Sequence, residues 1–249
     1  MRGRMVVSTR PAGTATTLVR QVRTLGGEPL LLPGLSLRSS DDAAVLTELS
    51  AALGDDVLIF TSPAAVRFAA KLTPLRTEAT VLAVGQGTAR ALRRYGVAEP
   101  LTPELRQDSE GLLEHSALNA LRNHRVALVG APGGRGVLRA ELAARGAHLR
   151  EVHVYSRVAP RLLRRHIEAV ECLPRSAMVL LSSAEALGYL QQLLPESAFR
   201  RLCAATAVVS SERLAEAARV AGFGRIKMAS SALSMDLLKA ILAPSSATG

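Results

Sequence analysis

Short runs of hydroxyl and glycine residues follow most of the apolar, strand-like segments of this chain of 249 residues. In an open parallel sheet, ligands bind at the carboxyl ends of the strands. A helix that begins at such an end presents free backbone N–H groups and the positive end of its dipole, which bind carboxylates or phosphates without Lys or Arg. The runs are Thr9, Thr61-Ser62, Gly85 with Thr88, Gly130 with Gly133-Gly134, Ser182-Ser183 and Ser210-Ser211.

Any one of these turns is explained by ordinary helix capping, because Ser and Thr cap helices in most proteins. Six such turns that face one cleft would instead form a receptor for a large polyanion. The charge agrees with an anionic partner: 31 basic against 21 acidic residues leave a net charge of +10. Nucleic acid is disfavoured, because only 3% of the residues are aromatic and the Arg residues are scattered along apparent helix faces.

Motifs of other chemistries are missing from the sequence. The segment Gly130–Gly136 lacks the Lys and the spacing of a nucleotide-binding P-loop, and no G-x-G-x-x-G follows a strand. The five histidines lack a metal-ligand spacing with carboxylates or thiols, and no G-x-S-x-G elbow is present. We therefore expect no cofactor, no metal and no hydrolase triad.

The sequence also predicts a cytoplasmic location. Nothing at the start resembles a signal peptide, and no apolar stretch approaches the roughly 20 residues of a membrane helix. Cys172 and Cys203 are far apart in the sequence and form no C-x-x-C motif, so we expect two buried free thiols in a reducing compartment. We expect no contact with a membrane.

Strand-like and helix-like segments alternate almost throughout, which predicts an α/β protein with parallel sheets flanked by helices. Ser62-Pro63 is a strong helix start, and Thr88 is predicted to cap a second helix that ends at Gly96. Asp41-Asp42 opens another predicted helix.

An internal repeat divides the chain into two similar α/β domains. The segments Arg4–Pro11 and Arg125–Pro132 are alike, as are Ile59–Val66 and Leu180–Leu187. The extended segments Leu30–Leu37 and Leu149–Val158 are natural crossover strands between the domains. We predict a discontinuous first domain at residues 1–35 plus 158–249 and a second at 36–157, with a two-stranded linker and a cleft between them. A simple tandem order is the alternative.

Six segments in order along the chain resemble the successive signatures of the uroporphyrinogen-III synthase family, in its proteobacterial branch. They are Val6-Val-Ser-Thr-Arg-Pro11, Phe60-Thr-Ser-Pro-Ala-Ala-Val66, Val84-Gly-Gln-Gly-Thr-Ala89, Asp108-Ser-Glu-Gly-Leu-Leu113, Val154-Tyr-Ser-Arg157 and Val209-Ser-Ser-Glu-Arg-Leu-Ala215. The resemblance implies two α/β domains, one flavodoxin-like, joined by a two-stranded ladder. It also implies an enzyme without a cofactor that cyclises hydroxymethylbilane, a linear tetrapyrrole with eight carboxylates, to uroporphyrinogen III in haem biosynthesis.

The resemblance assigns roles to particular residues. Tyr155 would assist the departure of the substrate hydroxyl, which a general acid accelerates by about 10²–10⁴-fold. Without the family match, Tyr155 is as readily a packing residue on a linker strand. Substrate contacts would come from the hydroxyl and glycine turns, and from Arg10 and Arg157 to propionates or acetates. The residues are Thr9, Arg10, Thr61, Ser62, Gly85, Thr88, Gly133, Gly134, Arg157, Ser182, Ser183, Ser210 and Arg213.

Two departures from the family pattern affect these assignments. Ala64 stands where many members have Asn, and Ser210-Ser-Glu-Arg-Leu214 replaces a Gly-x-Thr-Thr-Ala turn. The first domain's Thr contact would then fall to Ser210, Ser211 or Arg213.

The resemblance also implies a monomer, with possible transient contact with hydroxymethylbilane synthase. The alternative interpretation is a non-catalytic two-domain binding protein for an anionic metabolite. That protein would have the same architecture and charge but no need of Tyr155.

Overall fold

The computed structural model describes residues 1–104, 106, 108–133 and 136–243. Strands and helices alternate along the chain, as expected. The elements are β1 (Met5–Ser8), α1 (Thr16–Thr24), β2 (Glu28–Leu31), β3 (Ser36–Ser39), α2 (Ala43–Ala52), β4 (Val57–Phe60), α3 (Pro63–Leu72), β5 (Thr80–Ala83), α4 (Gln86–Arg94), α5 (Ser109–Leu113), β6 (Arg125–Gly130), α6 (Gly136–Ala144), β7 (His148–His153), β8 (Tyr155–Val158), α7 (Arg164–Glu171), β9 (Met178–Leu180), α8 (Ala184–Leu193), α9 (Glu196–Cys203), β10 (Thr206–Val209), α10 (Glu212–Val220), β11 (Arg225–Met228) and α11 (Ser234–Leu242).

One compact unit, unit 1, comprises Met1–Leu37 and the chain from Val158 onward. Its sheet is parallel throughout, with the strand order β2-β1-β9-β10-β11. Numbered within the unit, that order is 2-1-3-4-5, which is the order of flavodoxin-like folds. The expected flavodoxin-like α/β unit is therefore confirmed.

The second compact unit, unit 2, comprises Arg38–Arg157. Its four-stranded sheet has the order β5-β4-β6-β7 and is also parallel. Numbered within the unit, the order is 2-1-3-4, the same as in unit 1 without the last strand. The prediction of two similar parallel α/β units is confirmed.

A two-stranded sheet of β3 and β8 contains the residues at which the chain passes from one unit to the other. The expected crossover segments each divide into two strands. Leu30–Leu37 includes the end of β2 and the start of β3, and Leu149–Val158 includes most of β7 and all of β8. The linker pair is thus shorter than the extended segments suggested.

Alternation along the strands explains why helices cover both faces of each sheet. In β1, Val6 belongs to a core with Leu18 and Leu237, whereas the next residue, Val7, belongs to a core on the opposite face with Leu190. Strands that are apolar on both faces are typical of parallel sheets, which helices bury from both sides. In unit 2, all four residues of β4 are buried for the same reason.

The repeat seen in the sequence has a structural counterpart at two turns. Thr61 Oγ1 donates a hydrogen bond to the carbonyl of Val129 on the neighbouring strand (3.2 Å), and Ser182 Oγ donates to the carbonyl of Thr9 (3.0 Å). The next residue caps a helix in both turns with nearly the same backbone. Ser62 has φ −165° and ψ 160°, and Ser183 has φ −168° and ψ 161°.

The two cysteines are both free but differ in environment. Cys203 is buried, donates through Sγ to the carbonyl of Ala221 (3.3 Å), and has its pKa raised to about 11 by desolvation. Cys172 is exposed, so the expectation that both thiols are buried was wrong for this residue. We predict that a thiol reagent at pH 8 modifies only Cys172 in the folded protein, because the thiolate is the reactive species. Cys172→Ser should abolish the fast phase in a colorimetric thiol assay; a fast phase that survives this change would contradict the predicted difference.

Within the described part of the chain, every helix is too short or too polar to cross a bilayer.

Candidate functional site

The strand order locates a candidate ligand site in each unit. In doubly wound sheets, ligands bind at the switch point, where the connections that follow two neighbouring strands leave in opposite directions. This point lies at the carboxyl ends of those two strands. In unit 1 these strands are β1 and β9, and in unit 2 they are β4 and β6. Four of the hydroxyl and glycine turns predicted from the sequence lie at these ends.

The switch point of unit 1 is built around a pair of hydroxyl residues. Thr9 Oγ1 donates to the carbonyl of Leu180 (3.0 Å) and accepts the backbone N–H of Ser182 (2.9 Å). Ser182 Oγ lies 3.2 Å from Thr9 Oγ1. Thr9 has no exposed surface, whereas Ser182 is exposed. Thr9 therefore positions Ser182 and does not itself reach solvent, and its direct contact with a substrate stays a prediction.

The neighbouring turns of unit 1 contain the other hydroxyl residues predicted for the site. Ser183 accepts the N–H of Ala186 as the cap of α8 (3.1 Å), and Ser211 accepts the N–H of Leu214 as the cap of α10 (3.3 Å). Ser210 is half-buried at the end of β10, and Arg213 is exposed in the first turn of α10. Ser211 thus serves the helix, whereas the side chains of Ser210 and Arg213 make no hydrogen bond to the described part of the chain.

Arg10 is held by the loop that precedes α11. Its Nη1 donates to Ser234 Oγ (3.0 Å) and its Nη2 to the carbonyl of Ala232 (2.7 Å). Burial lowers the pKa of the Arg10 guanidinium below its ordinary value. A guanidinium has five N–H donors, so Arg10 retains donors for a ligand while it fixes this loop.

The switch point of unit 2 includes a glycine that no other residue could replace without a shift. A Cβ at Gly130 would lie 2.3 Å from Thr61 Oγ1. Beside this contact is a cavity of about 50 Å³, enough for one or two water molecules or a carboxylate. Its lining includes Thr61, Gly130, Gly133 and the Arg139, Glu151 and His153 side chains. Gly134 lies outside the described residues.

Three residues of this cavity were missed in the sequence. Arg139 Nη1 lies 3.1 Å from Glu151 Oε1, and His153 Nε2 lies 3.7 Å from Glu151 Oε2. Glu151 and His153 are two apart on β7 and so lie on one face of the strand. The spacing of Glu151 and His153 could have predicted this pair from the sequence. The position of Arg139 beside them follows only from the packing of α6 on the sheet.

The phenol of Tyr155 in unit 2 is buried and is held by side chains from α3 and its cap residue. It is 6% exposed, and its Oη lies 3.1 Å from Ser62 Oγ. Its ring stacks on Phe68, with centroids 5.2 Å apart and an interplanar angle of 18°. Ser62 caps α3 and Phe68 belongs to it, so this helix fixes the phenol. Phe68 was missed in the sequence, because nothing local links it to a residue 87 positions away.

The start of α4 differs from the prediction. Thr88 is not the cap: the helix begins at Gln86, and the cap residue is Gly85, with φ −169° and ψ 170°. The cap, with its extended backbone, therefore lies three residues before the predicted cap Thr88. Gly85 has no side chain to cover the first-turn N–H groups, and the Thr88 hydroxyl makes no hydrogen bond to the described residues although the residue is 3% exposed.

Arg157 reaches back to the loop after β6. Its Nη2 donates to the carbonyl of Pro132 (2.9 Å) and lies 3.4 Å from the carbonyl of Gly133. Gly133 has φ +69°, which favours glycine. Arg157 therefore braces the loop that lines the cavity. The described residues contain no group of three His, Cys, Asp or Glu side chains that could hold a metal ion.

Two parallel α/β units with hydroxyl-rich carboxyl edges, joined by a two-stranded sheet, define a two-unit α/β protein of the doubly wound class. Comparison with known proteins makes this more specific. The family model described as uroporphyrinogen-III synthase HemD matches residues 16–239. The uroporphyrinogen-III synthase of Escherichia coli is 31% identical over 95% of this chain and 99% of the relative, and that of Salmonella typhimurium is 30% identical over the same shares.

Solved structures have the same fold. The uroporphyrinogen-III synthetase of Helicobacter pylori superposes with a TM-score of 0.64 at 16% identity, over 97% of this chain and 99% of that one. A mutant uroporphyrinogen III synthase from Thermus thermophilus gives a TM-score of 0.58 at 21% identity, over 95% and 96%. The chain belongs to the uroporphyrinogen-III synthase family, and it is an enzyme. The alternative of a non-catalytic binding protein finds no support.

Proposed function

We propose that the protein converts hydroxymethylbilane to uroporphyrinogen III in three stages. The terminal hydroxyl leaves as water and gives an electrophilic azafulvene. The substituted carbon of the last pyrrole attacks the exocyclic methylene carbon of this azafulvene to form a spiro intermediate, which then fragments and recloses with ring D inverted. Membership of the family is the observation that carries the proposal.

The charge of the chain supports a substrate with eight carboxylates. Unit 1 has sixteen basic and eight acidic residues, and unit 2 has fifteen and thirteen. An excess of positive charge raises the local concentration of an anion and its rate of association. Unit 1 therefore has the stronger electrostatic attraction for the substrate, whereas Tyr155 belongs to unit 2.

In unit 2, Tyr155 is the proposed source of the proton that the departing hydroxyl takes up. The stack on Phe68 and the contact with Ser62 support this role, because a general acid must be held in one orientation. Thr61, the uncapped start of α4 at Gly85 and Thr88, and Gly133 are proposed to bind substrate carboxylates. Gly134, which lies outside the described residues, is proposed to do the same.

In unit 1, the proposed carboxylate donors are Ser182, Ser183, Ser210 and Arg213, with Thr9 as the residue that positions Ser182. Arg213 is exposed on the first turn of α10, where the helix dipole adds to its charge. Arg10 already donates to a loop carbonyl and is proposed to bind a propionate or acetate with its remaining N–H groups. Arg157, which holds the loop at Pro132, is proposed to bind a second such group through its charge.

We further propose a cytoplasmic monomer that meets hydroxymethylbilane synthase transiently. The free thiols of Cys172 and Cys203 support a reducing compartment. The instability of the linear substrate, which closes by itself to the unrearranged isomer, supports rapid transfer from the enzyme that makes it.

The reaction is tested by supplying porphobilinogen and a hydroxymethylbilane-forming deaminase, with and without this protein. Oxidised products are then separated by chromatography into type I and type III isomers.

Thr88 provides a test of substrate binding that leaves the chemistry in place. Thr88→Val removes the free hydroxyl at nearly constant volume. A hydrogen bond to a charged group contributes about 1.5–3 kcal/mol, so KM should rise by about 10–100-fold while kcat changes little. Thr47→Val, on the exposed side of α2, is the matched control and should leave KM unchanged. An unaltered KM in Thr88→Val would remove this residue from the binding site.

A further inference from the structure

Ser62 has a hydrogen-bonding arrangement that capping does not explain. Its Oγ accepts the backbone N–H of Ala65 at 3.0 Å, as a cap does, and also lies 3.1 Å from Tyr155 Oη. The two residues are 93 positions apart. The equivalent cap in unit 1, Ser183, has the same backbone conformation and accepts the N–H of Ala186, but it has no phenol beside it among the described residues.

The hydrogen-bonding capacity of a hydroxyl limits what Ser62 can do. A serine oxygen has two acceptor lone pairs and one O–H donor. The N–H of Ala65 occupies one lone pair, and the Tyr155 O–H can occupy the other. The Ser62 O–H is then the one hydrogen-bonding capacity of this hydroxyl that neither Ala65 nor Tyr155 uses.

The exposed fractions of Ser62 and Tyr155 also favour Ser62 as the hydroxyl that contacts the substrate. Tyr155 is 6% exposed and is covered on one ring face by Phe68, whereas Ser62 is half-buried at the carboxyl end of β4. That edge is where ligands bind in a parallel sheet. A substrate at this edge meets the Ser62 hydroxyl before it meets the phenol.

We propose that Ser62 is a catalytic residue that passes the proton of Tyr155 to the departing hydroxyl. This inference rests on the proposed function. The pyrrole nitrogen supplies the electron pair that breaks the C–O bond. The oxygen takes the Ser62 proton and leaves as water, and Ser62 Oγ takes the proton of Tyr155. The proton lost when the last pyrrole regains its aromaticity returns the phenolate to its neutral form, so protons balance over one turnover.

The test is a double-mutant cycle with Ser62→Ala, Tyr155→Phe and the double variant, with substrate generated in place by the deaminase. A relay predicts that each single change lowers kcat by about 10²–10⁴-fold and that the double variant is no slower than the slower single one. Losses that multiply, or a Ser62→Ala enzyme that keeps most of its kcat, would show that Tyr155 acts directly.

Helix capping is controlled with three further variants. Asp42→Ala removes the cap of α2, far from these groups in the sequence, and should leave kcat unchanged. Ser62→Gly removes the hydroxyl at little cost to a cap position, so it separates proton transfer from folding. Ser62→Thr keeps a hydroxyl and should restore most of the activity.

The solvent isotope effect gives a readout that a structural role would not change. Two protons in flight predict a curved dependence of kcat on the deuterium fraction in the wild type and in Ser62→Thr. A linear dependence would overturn the relay. A wild-type protein that yields no type III isomer at all would instead refute the proposed function.

Discussion

Replacing Tyr155 by Phe should lower kcat by about 10²–10⁴-fold, the usual contribution of a general acid. The ring would keep its stack on Phe68, and Ser62 would still accept the N–H of Ala65. Only one hydrogen bond is lost, at a cost of about 1 kcal/mol, so the fold should remain. The measurement is the rate of type III isomer formation at saturating substrate, with thermal unfolding as the check on folding.

The matched control is Tyr95→Phe, which removes the same hydroxyl from an exposed residue at the end of α4. It should leave kcat and KM unchanged. The chain has three tyrosines and no Trp, so the loss of one tyrosine in either variant is visible in the ultraviolet absorption spectrum. Full activity in Tyr155→Phe would mean that the proton comes from water or from a substrate carboxylate.

Gly34→Ala should destabilise unit 1 by overpacking the contact between Gly34 and α8. Gly34 lies between β2 and β3, where a Cβ would be 2.6 Å from Ala186 Cβ and 2.9 Å from its carbonyl oxygen. Backbone of α8 cannot move aside as a flexible side chain can. Overpacking of this kind costs about 1–3 kcal/mol. At about 2–4 °C per kcal/mol for a chain of this size, Tm should fall by about 2–12 °C.

Gly188→Ala provides the control for this prediction, because it adds the same methyl group to α8, the helix that Gly34 approaches. No atom lies within 4 Å of a Cβ at Gly188. Alanine is favoured over glycine inside a helix by roughly 0.5–1 kcal/mol, so Tm should rise slightly. Equal Tm values for the two variants would contradict the close approach of Gly34 to α8. Because α8 follows Ser182 and Ser183 directly, Gly34→Ala should also raise KM.

Local chemistry made much of the fold predictable from the sequence. Ser62 with Pro63 predicts a helix start from two residues alone, and the structure confirms it. The prediction that Thr88 caps the next helix was wrong, because Gly85 also adopts a cap conformation and lies nearer to the end of β5. Where two residues compete to start a helix, the end of the preceding strand decides, and that depends on the sheet.

Long-range pairing explains what the sequence did not predict about the site. Thr9 is predicted as a substrate contact because hydroxyls follow strands, and the structure pairs its buried side chain with Ser182, 173 positions away. Phe68 reads as an ordinary apolar residue of α3 until the chain returns at β8 and places Tyr155 against it. Both contacts join segments that are distant in the sequence and meet only in the folded chain.

The isomer composition of the product tests the central claim most directly. Hydroxymethylbilane is generated from porphobilinogen by the deaminase at a fixed rate, and this protein is added at increasing concentration before oxidation and chromatography. The account predicts that the type III isomer rises with protein concentration until it dominates, and that Tyr155→Phe restores the type I isomer at equal concentration. A type I product at every concentration of folded wild-type protein would contradict it.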